Sequence, residues 1–210
     1  MLEKLTFLSA AENRETFFRR IARLFTPRDP RYKAVERAYD CAKDAFRGKE
    51  RDDGDRYFEH LRATALILID HLRIKDYRLI IAALLHDIVE DIPFWPIERV
   101  ALEFDERVAL LVELLTKPPL REFNGDENAR DIAYHERFRF APRDFFLIKL
   151  SDRLHNLITM HARTPEKIQH KIQETKIFYL PHAERELILL HELEGALSQL
   201  ESGKKPTEGV

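Results

Sequence analysis

The sequence has little cysteine and glycine and lacks long apolar runs, and each scarcity excludes a class of protein. Cys41 is the only cysteine, which excludes an intrachain disulfide and a thiolate metal cluster and favours a reducing compartment. Six glycines in 210 residues leave little of the turn chemistry that β-hairpins need. No stretch reaches the ~18 apolar residues of a membrane span, and the first residues lack the apolar run of a signal peptide. We therefore expect a cytoplasmic protein with no membrane partner.

An excess of charge of either sign is also missing. The chain carries 35 basic and 37 acidic residues, for a formal net charge of −2. Such a balance produces no global field that would attract nucleic acid. We expect no nucleic-acid partner, and any anionic ligand must be bound by local groups.

The apolar residues that are present recur three and four positions apart, which predicts an all-α protein. No internal repeat and no long linker divides the chain, so we expect a single domain over 1–200 followed by a disordered tail over 201–210. The predicted helices are 13–24, 32–47, 57–72, 76–91, 96–103, 105–116, 127–139, 143–161 and 165–198.

The segment "LIIAALLHDIVEDI" (79–92) carries four ionisable groups within an aliphatic helix. On a continuous helix, with ~100° per residue, His86, Asp87, Glu90 and Asp91 share one arc. A solvated face is the simplest explanation, but the aliphatic run that precedes His86 predicts burial. Buried carboxylates need a metal, another cation or strong hydrogen bonds. The pattern therefore favours a metal or catalytic site over a structural polar network.

A second polar arc lies in "FFLIKLSDRLHNLITM" (145–160). Asp152, Asn156 and Thr159 share one side of this predicted helix. A carboxylate followed by an amide and a hydroxyl suits a metal ligand that adjoins an organic substrate. The alternative is that Asp152 pairs with Arg153 or Lys149 and that Asn156 is a hydrogen-bonding core residue.

His60 follows the charged loop "RDDGDR" at the start of another predicted helix. A lone histidine in this position is more often structural than a ligand. Together with His86, Asp87 and Asp152, however, it completes a set of two imidazoles and two carboxylates. Such a set suits a divalent ion such as Mn²⁺, Fe²⁺ or Zn²⁺.

These segments together resemble the hydrolase domain of the RelA/SpoT alarmone enzymes, a branch of the HD-domain metallohydrolases. The resemblance runs from about residue 35 to 190 and is carried, in family order, by "YFEHL", "AALLHDIVED", "LTK", "IKLSDRLHNLITM" and "TPEKIQHKIQETKIFYLPHA". It implies an HD-domain helical bundle of about eight to ten helices with a central metal site. Longer family members continue into a synthetase domain, so this chain resembles the small, hydrolase-only members.

The resemblance also implies roles for individual residues. The implied ligands of one divalent ion, usually Mn²⁺ and less often Fe²⁺ or Zn²⁺, are His60, His86, Asp87 and Asp152. The implied catalytic carboxylates that handle the attacking water are Glu90 and Asp91. The implied nucleotide-binding residues are Arg51, which packs against the purine, together with Asn156 and Thr159.

The loop before His60 departs from the family pattern. The chain has "RDDG" where the family commonly has Arg-Lys-Ser-Gly, so Asp52 replaces a lysine near the nucleotide. Either Asp52 accepts a hydrogen bond from a purine donor, or it pairs with Arg51 or Arg56 and faces water. This change leaves the choice between a guanosine and an adenosine alarmone open.

The expected activity is metal-dependent 3′-pyrophosphohydrolysis of (p)ppGpp-type alarmones to GDP or GTP and pyrophosphate. The expected partner is thus a small purine nucleotide, and the oligomeric state is left open. The alternatives are hydrolysis of adenosine alarmones, a phosphatase acting on an NADPH-type 2′-phosphate, and a non-catalytic alarmone-binding module. The last is the weakest, because Glu90 and Asp91 accompany all four implied ligands.

Overall fold

The computed structural model describes residues 12–203 except Asp53, together with Leu5 and Leu8. This part of the chain contains no strand, which confirms the all-α prediction, and a single bridge joins Glu50 to Arg56. Within it no helix is long and apolar enough to cross a bilayer. The helices are α1 Arg14–Leu24, α2 Pro30–Ala45, α3 Tyr57–Leu66, α4 Tyr77–Leu85, α5 Ile88–Asp91, α6 Ile97–Glu103, α7 Glu106–Leu115, α8 Glu127–Glu136, α9 Arg143–Ile158, α10 Pro165–Glu174, α11 Leu180–Glu186 and α12 Leu190–Glu201.

Helix α4 occupies the centre of the bundle. Every residue from Leu79 to Leu85 is buried, and the helix packs against α2, α3, α7 and α9. A helix that is apolar on all sides is stable in water only when other elements surround it. Helix α3 packs against both α4 and α9, so the three helices that carry the candidate ligands are mutual neighbours.

The predicted continuous helix over 76–91 is wrong at its polar end. Helix α4 ends at Leu85, and α5 begins at Ile88. Between them Asp87 has φ −104° and ψ 0°, outside the α-helical region. His86 and Asp87 therefore form a turn, and the wheel angles predicted for Asp87, Glu90 and Asp91 do not apply across it.

The predicted helix over 165–198 is also interrupted. A π-helical turn over Thr175–Tyr179 joins α10 to α11, and Leu187 and Leu189 adopt φ 54° before α12 begins. Over the described residues the helices form an all-α bundle, as expected.

The chain end differs slightly from the predicted tail over 201–210. Helix α12 includes Glu201. Residues 204–210 lie outside the described residues, so the prediction of disorder there is untested.

Candidate metal centre and nucleotide pocket

Three helices bring candidate ligands to one point. His60 lies in the first turn of α3, His86 caps the C-terminal end of α4, and Asp152 lies in α9. Their donor atoms lie within 4.8 Å of one another, and all three residues are buried. His60 Nε2 is 3.2 Å from Asp152 Oδ1. The packing of these helices thus assembles residues that are up to 92 positions apart in the chain.

Asp87 joins this group from the turn between α4 and α5. Its Oδ2 atom is 3.2 Å from His86 Nε2 and 3.9 Å from His60 Nε2. Two donors that are each ~2.1 Å from one ion lie ~3–4 Å apart. The spacing of these atoms therefore fits a shared divalent ion.

His86 provides the clearest sign that the residues fit a metal. Its Nδ1–H donates to the carbonyl of Ala83 at 2.8 Å, which directs Nε2 toward the carboxylates. Nε2 is buried and has no hydrogen-bond partner among the described residues, an arrangement that native structures avoid unless another ligand is bound. Although burial opposes the charged imidazole, Asp87 and Asp152 raise the pKa of His86 to about 9. The group therefore attracts positive charge, and a divalent ion would supply it.

His60 is supported from behind by His155. Their Nδ1 atoms are 2.8 Å apart, so one ring donates a hydrogen bond to the other. Burial, together with the nearby His60 and Arg51, holds the pKa of His155 well below its usual value. A neutral His155 can accept a hydrogen bond from the Nδ1–H of His60. The unprotonated Nε2 of His60 is then free to bind a metal.

Asp152 uses its two oxygens differently. Lys149 Nζ lies 3.0 Å from Oδ2, whereas Asn156 Nδ2 donates to Oδ1 at 2.5 Å. Burial opposes the charge on Lys149, but Asp152 outweighs it and raises the lysine pKa well above its usual value. Asp152 therefore pairs with Lys149 and also faces His60. The sequence offered the lysine pairing as an alternative to metal ligation, but the two are compatible.

Arg153, the other partner that the sequence offered for Asp152, is directed to Glu174 instead. It forms two hydrogen bonds with Glu174, of 2.9 and 3.0 Å, and its guanidinium lies 3.7 Å from the centroid of the Tyr179 ring. These contacts hold α9 against the end of α10 and the π-helical turn that follows it.

Tyr57 is a site residue that the sequence did not indicate. Its hydroxyl donates to Asp87 Oδ2 at 2.7 Å, and its ring stacks on Phe46 at 4.9 Å. Tyr57 precedes His60 by three residues on α3, so both face the same side of that helix. This spacing is the only signal in the sequence that could have identified it.

The two predicted catalytic carboxylates lie on α5. Glu90 is accessible to solvent, its Oε2 accepts the backbone N–H of Lys117 at 3.2 Å, and desolvation and the Asp87 charge raise its pKa. Asp91 Oδ2 lies 2.8 Å from Lys49 Nζ. Glu90 is thus an exposed carboxylate with a raised pKa, and Asp91 is an ion-paired neighbour.

The predicted nucleotide-binding residues also come together. Arg51 Nη2 donates to Asn156 Oδ1 at 2.9 Å and to Thr159 Oγ1 at 3.2 Å. The loop that carries Arg51 is closed by the bond from Arg51 N to Asp55 O, at 2.8 Å, and turns at Gly54, whose φ of 87° favours glycine. Arg51 and Asn156 border a pocket of about 510 Å³.

Asp52 does not have the partners that the sequence suggested. It contacts the guanidinium of Arg163 and lies 3.4 Å from Lys167 Nζ. Arg51 bonds to α9 instead, and Arg56 pairs with Glu59. Of the two alternatives for Asp52, the pairing with Arg51 or Arg56 is therefore wrong, and hydrogen bonding to a purine is untested. Asp52 connects the loop before α3 to the start of α10.

Comparisons with known proteins agree with this arrangement. A family model described as the HD domain matches residues 38–188. The bifunctional (p)ppGpp synthase/hydrolase SpoT of Escherichia coli (strain K12) is 33% identical over 180 residues, which are 84% of this chain and 24% of that protein. The guanosine-3′,5′-bis(diphosphate) 3′-pyrophosphohydrolase of Haemophilus influenzae is 35% identical over 147 residues, which are 69% and 21% of the two chains. The chain spans about a quarter of the length of these relatives.

A solved structure has the same fold. It is described as a metazoan ortholog of SpoT that hydrolyses ppGpp and plays a role in starvation responses. The two structures match with a TM-score of 0.71 over 79% of this chain and 94% of that one, at 24% identity. At this identity the match shows a common fold.

Proposed function

Because the chain belongs to the HD-domain family, we propose that it is a metal-dependent hydrolase that removes pyrophosphate from the 3′ position of a (p)ppGpp-type alarmone. The observation that carries the proposal is the convergence of the buried residues His60, His86 and Asp152 with the half-buried Asp87. This set lies next to the hydrogen-bonded residues Arg51, Asn156 and Thr159. Relatives that align over this region are named for the same hydrolysis. The cytoplasmic location stays a prediction from the cysteine content.

The proposed reaction breaks the bond between the 3′ oxygen and phosphorus. Water attacks that phosphorus, pyrophosphate leaves with the water oxygen, and the 3′ oxygen receives a proton. Glu90 accepts the proton of water, because its raised pKa and its access to solvent suit a general base. Asp91 orients the attacking water, and its carboxylate is held in place by the ion pair with Lys49.

The residues of the centre have separate tasks in this proposal. His60, His86, Asp87 and Asp152 hold the ion, which we propose to be Mn²⁺. When bound, such an ion supplies Lewis-acid polarisation of a phosphoryl oxygen. Tyr57 fixes the direction of the Asp87 carboxylate, and His155 fixes the tautomer of His60.

The nucleotide end is held by hydrogen bonds and stacking. Arg51 already donates to Asn156 and Thr159, so its planar guanidinium is fixed where a purine ring can lie against it. Asn156 connects this end to the centre, because its amide also donates to Asp152. The purine therefore lies one side chain away from the reacting phosphate.

A nucleotide panel tests the proposal. Purified protein is incubated with ppGpp, pppGpp, their adenosine counterparts or NADPH, in the presence of Mn²⁺, Fe²⁺, Zn²⁺ or a chelator, and the products are separated by anion-exchange chromatography. We expect GDP or GTP together with pyrophosphate, with the highest rate in Mn²⁺ and none in the chelator. Release of phosphate from NADPH alone, or binding without turnover, would contradict the proposal.

A further inference from the structure

The pocket beside Asn156 is rich in cations. It lies between the loop that carries Arg51 and helix α10, and its lining includes Arg51, Arg163, Lys167, His170 and Lys171. Glu166 is the one carboxylate among its lining residues. A pocket of about 510 Å³ is within the range of small-molecule sites. Its charge suits an anionic group.

The cations are not fully neutralised by the protein. Burial and the nearby Arg153 lower the pKa of Lys171 to about 8, although Glu174 lies 2.6 Å from its amine. The pocket begins at Asn156, whose amide donates to Asp152. An anion in the pocket is therefore separated from Asp152 by the side chain of Asn156.

Asp52 lies at the edge of the pocket and pairs with two of its basic side chains. Its carboxylate contacts Arg163 and lies 3.4 Å from Lys167 Nζ, while about half of its side chain (53%) remains exposed. Asp52 is not itself part of the pocket lining. It is therefore an internal counterion for two cations that a bound anion would use.

From these contacts we propose that the pocket binds the phosphates of the substrate that are remote from the metal centre, the 5′-phosphates of a purine nucleotide, and that Asp52 competes with them for Arg163 and Lys167. The proposal rests on the proposed function for the identity of the ligand. Asp52 then sets specificity by weakening every 5′-phosphorylated ligand while leaving the bare nucleoside unaffected. Neither purine recognition by Asp52 nor a pairing with Arg51 is needed.

Binding of GDP tests the proposal without turnover, because GDP keeps the 5′-phosphates but lacks the 3′-pyrophosphate that the proposed reaction removes. Dissociation constants of GDP and guanosine are measured by calorimetry, in Mn²⁺, for the parent protein and for Asp52→Asn. Removing a carboxylate that competes with phosphate at an exposed position should tighten GDP binding by about twofold to tenfold, with a smaller gain at high salt. Guanosine binding should not change.

A double-mutant cycle identifies the cations. In the Arg163→Gln background, Asp52→Asn should lose most of its gain, and Lys167→Gln, at a 64% exposed side chain, provides a second background that perturbs the fold little. The matched control is Asp144→Asn, another arginine-paired aspartate, at the opposite end of α9. Control binding should equal that of the parent protein.

The outcomes separate this proposal from the proposed function. Unchanged or weaker GDP binding by Asp52→Asn, or an equal gain for guanosine, would overturn the role of Asp52 even if ppGpp is hydrolysed. A selective GDP gain that disappears with Arg163→Gln would support the subsite even if the nucleotide panel shows no hydrolysis.

Discussion

The carboxylate of Asp152 divides its oxygens between a neighbour on the same helix and the metal centre. Lys149 binds Oδ2, while Oδ1 faces His60 Nε2 and accepts a bond from Asn156. Each oxygen is therefore held by a separate contact, and the carboxylate cannot rotate without losing one of them. Such outer contacts commonly change metal affinity by ~10–100-fold when they are removed.

Glu90→Gln separates chemistry from binding at the residue scale. The amide cannot accept a proton from water, so we expect kcat to fall by about 10²–10⁴-fold. Metal content and KM should stay close to those of the parent, because in the proposal Glu90 binds neither the ion nor the nucleotide. Steady-state kinetics and elemental analysis measure both.

Glu98→Gln is the matched control for that change. Glu98 is an exposed glutamate on α6, and its replacement should leave both kcat and metal content unchanged. A Glu90→Gln protein that loses its metal, or that keeps near-normal kcat, would show that Glu90 is a ligand or a bystander.

Single residues could be predicted from the sequence where a motif fixed their type and order. The ligand and nucleotide positions belong to this group, and the structure brings them together, although their roles remain predictions. The partners of Asp52 and Tyr57 could not be predicted. Asp52 contacts Arg163, which is 111 positions away, and Tyr57 contacts Asp87 across 30 positions. Such contacts depend on how helices pack, which periodicity does not encode.

At the scale of elements, the break between α4 and α5 explains how Asp87 reaches the metal centre. His86 still has helical angles, with φ −59° and ψ −27°, whereas Asp87 has left the helix. The two neighbouring side chains can then converge, with 3.2 Å between His86 Nε2 and Asp87 Oδ2. On a regular helix consecutive residues point ~100° apart. Apolar periodicity predicted the two helices but could not reveal one non-helical residue between them.

The contact between α9 and α10 depends on a buried ion pair and should make stability depend on pH. Although burial raises the pKa of Glu174, Arg153 and the nearby His135 outweigh it and hold the pKa well below the ordinary 4.5. A carboxylate with a lowered pKa in the folded state stabilises that state above its unfolded pKa and loses this contribution as the pH falls.

Glu174→Gln should therefore destabilise the protein at pH 7 by about 3 kcal/mol, because Arg153 is left buried without its counter-charge. The difference from the parent should shrink as the pH falls below about 4.5. Urea unfolding at pH 7 and pH 4, in the presence of a chelator, measures it, with the exposed Glu184→Gln as control. An equal loss at both pH values would show that the pair acts through packing alone.

At the scale of the whole molecule, the candidate metal ligands join α3, α4 and α9 at one point. These helices form the middle of the bundle, and the buried apolar residues of the described chain make up one core around them. The helical class and the order of helices could be predicted from apolar spacing. The long-range docking of the loop at Arg51 and the turns at Leu187 and Leu189 could not, because short-range propensity does not favour them.

Metal binding should therefore stabilise the entire fold. An ion that binds only the folded state, at about 100 times its Kd, adds ~2.7 kcal/mol, which raises Tm by about 5–10 °C in a domain of this size. His86→Ala should abolish both this Tm shift and the metal content, whereas the exposed His191→Ala should retain both. Calorimetry with and without Mn²⁺ measures the shift. A full metal complement in His86→Ala would refute the ligand assignment.

His155 connects the two ends of the site through a single atom. Its Nδ1 is 2.8 Å from His60 Nδ1 and 3.4 Å from Arg51 Nη1. A base that lies against Arg51 changes the electrostatic surroundings of the guanidinium beside His155, so the hydrogen bond that orients His60 changes in strength. Base and ion are then thermodynamically linked. By reciprocity, the factor by which the base changes the affinity for the ion equals the factor by which the ion changes the affinity for the base. The dissociation constant of each ligand therefore depends on whether the other is bound.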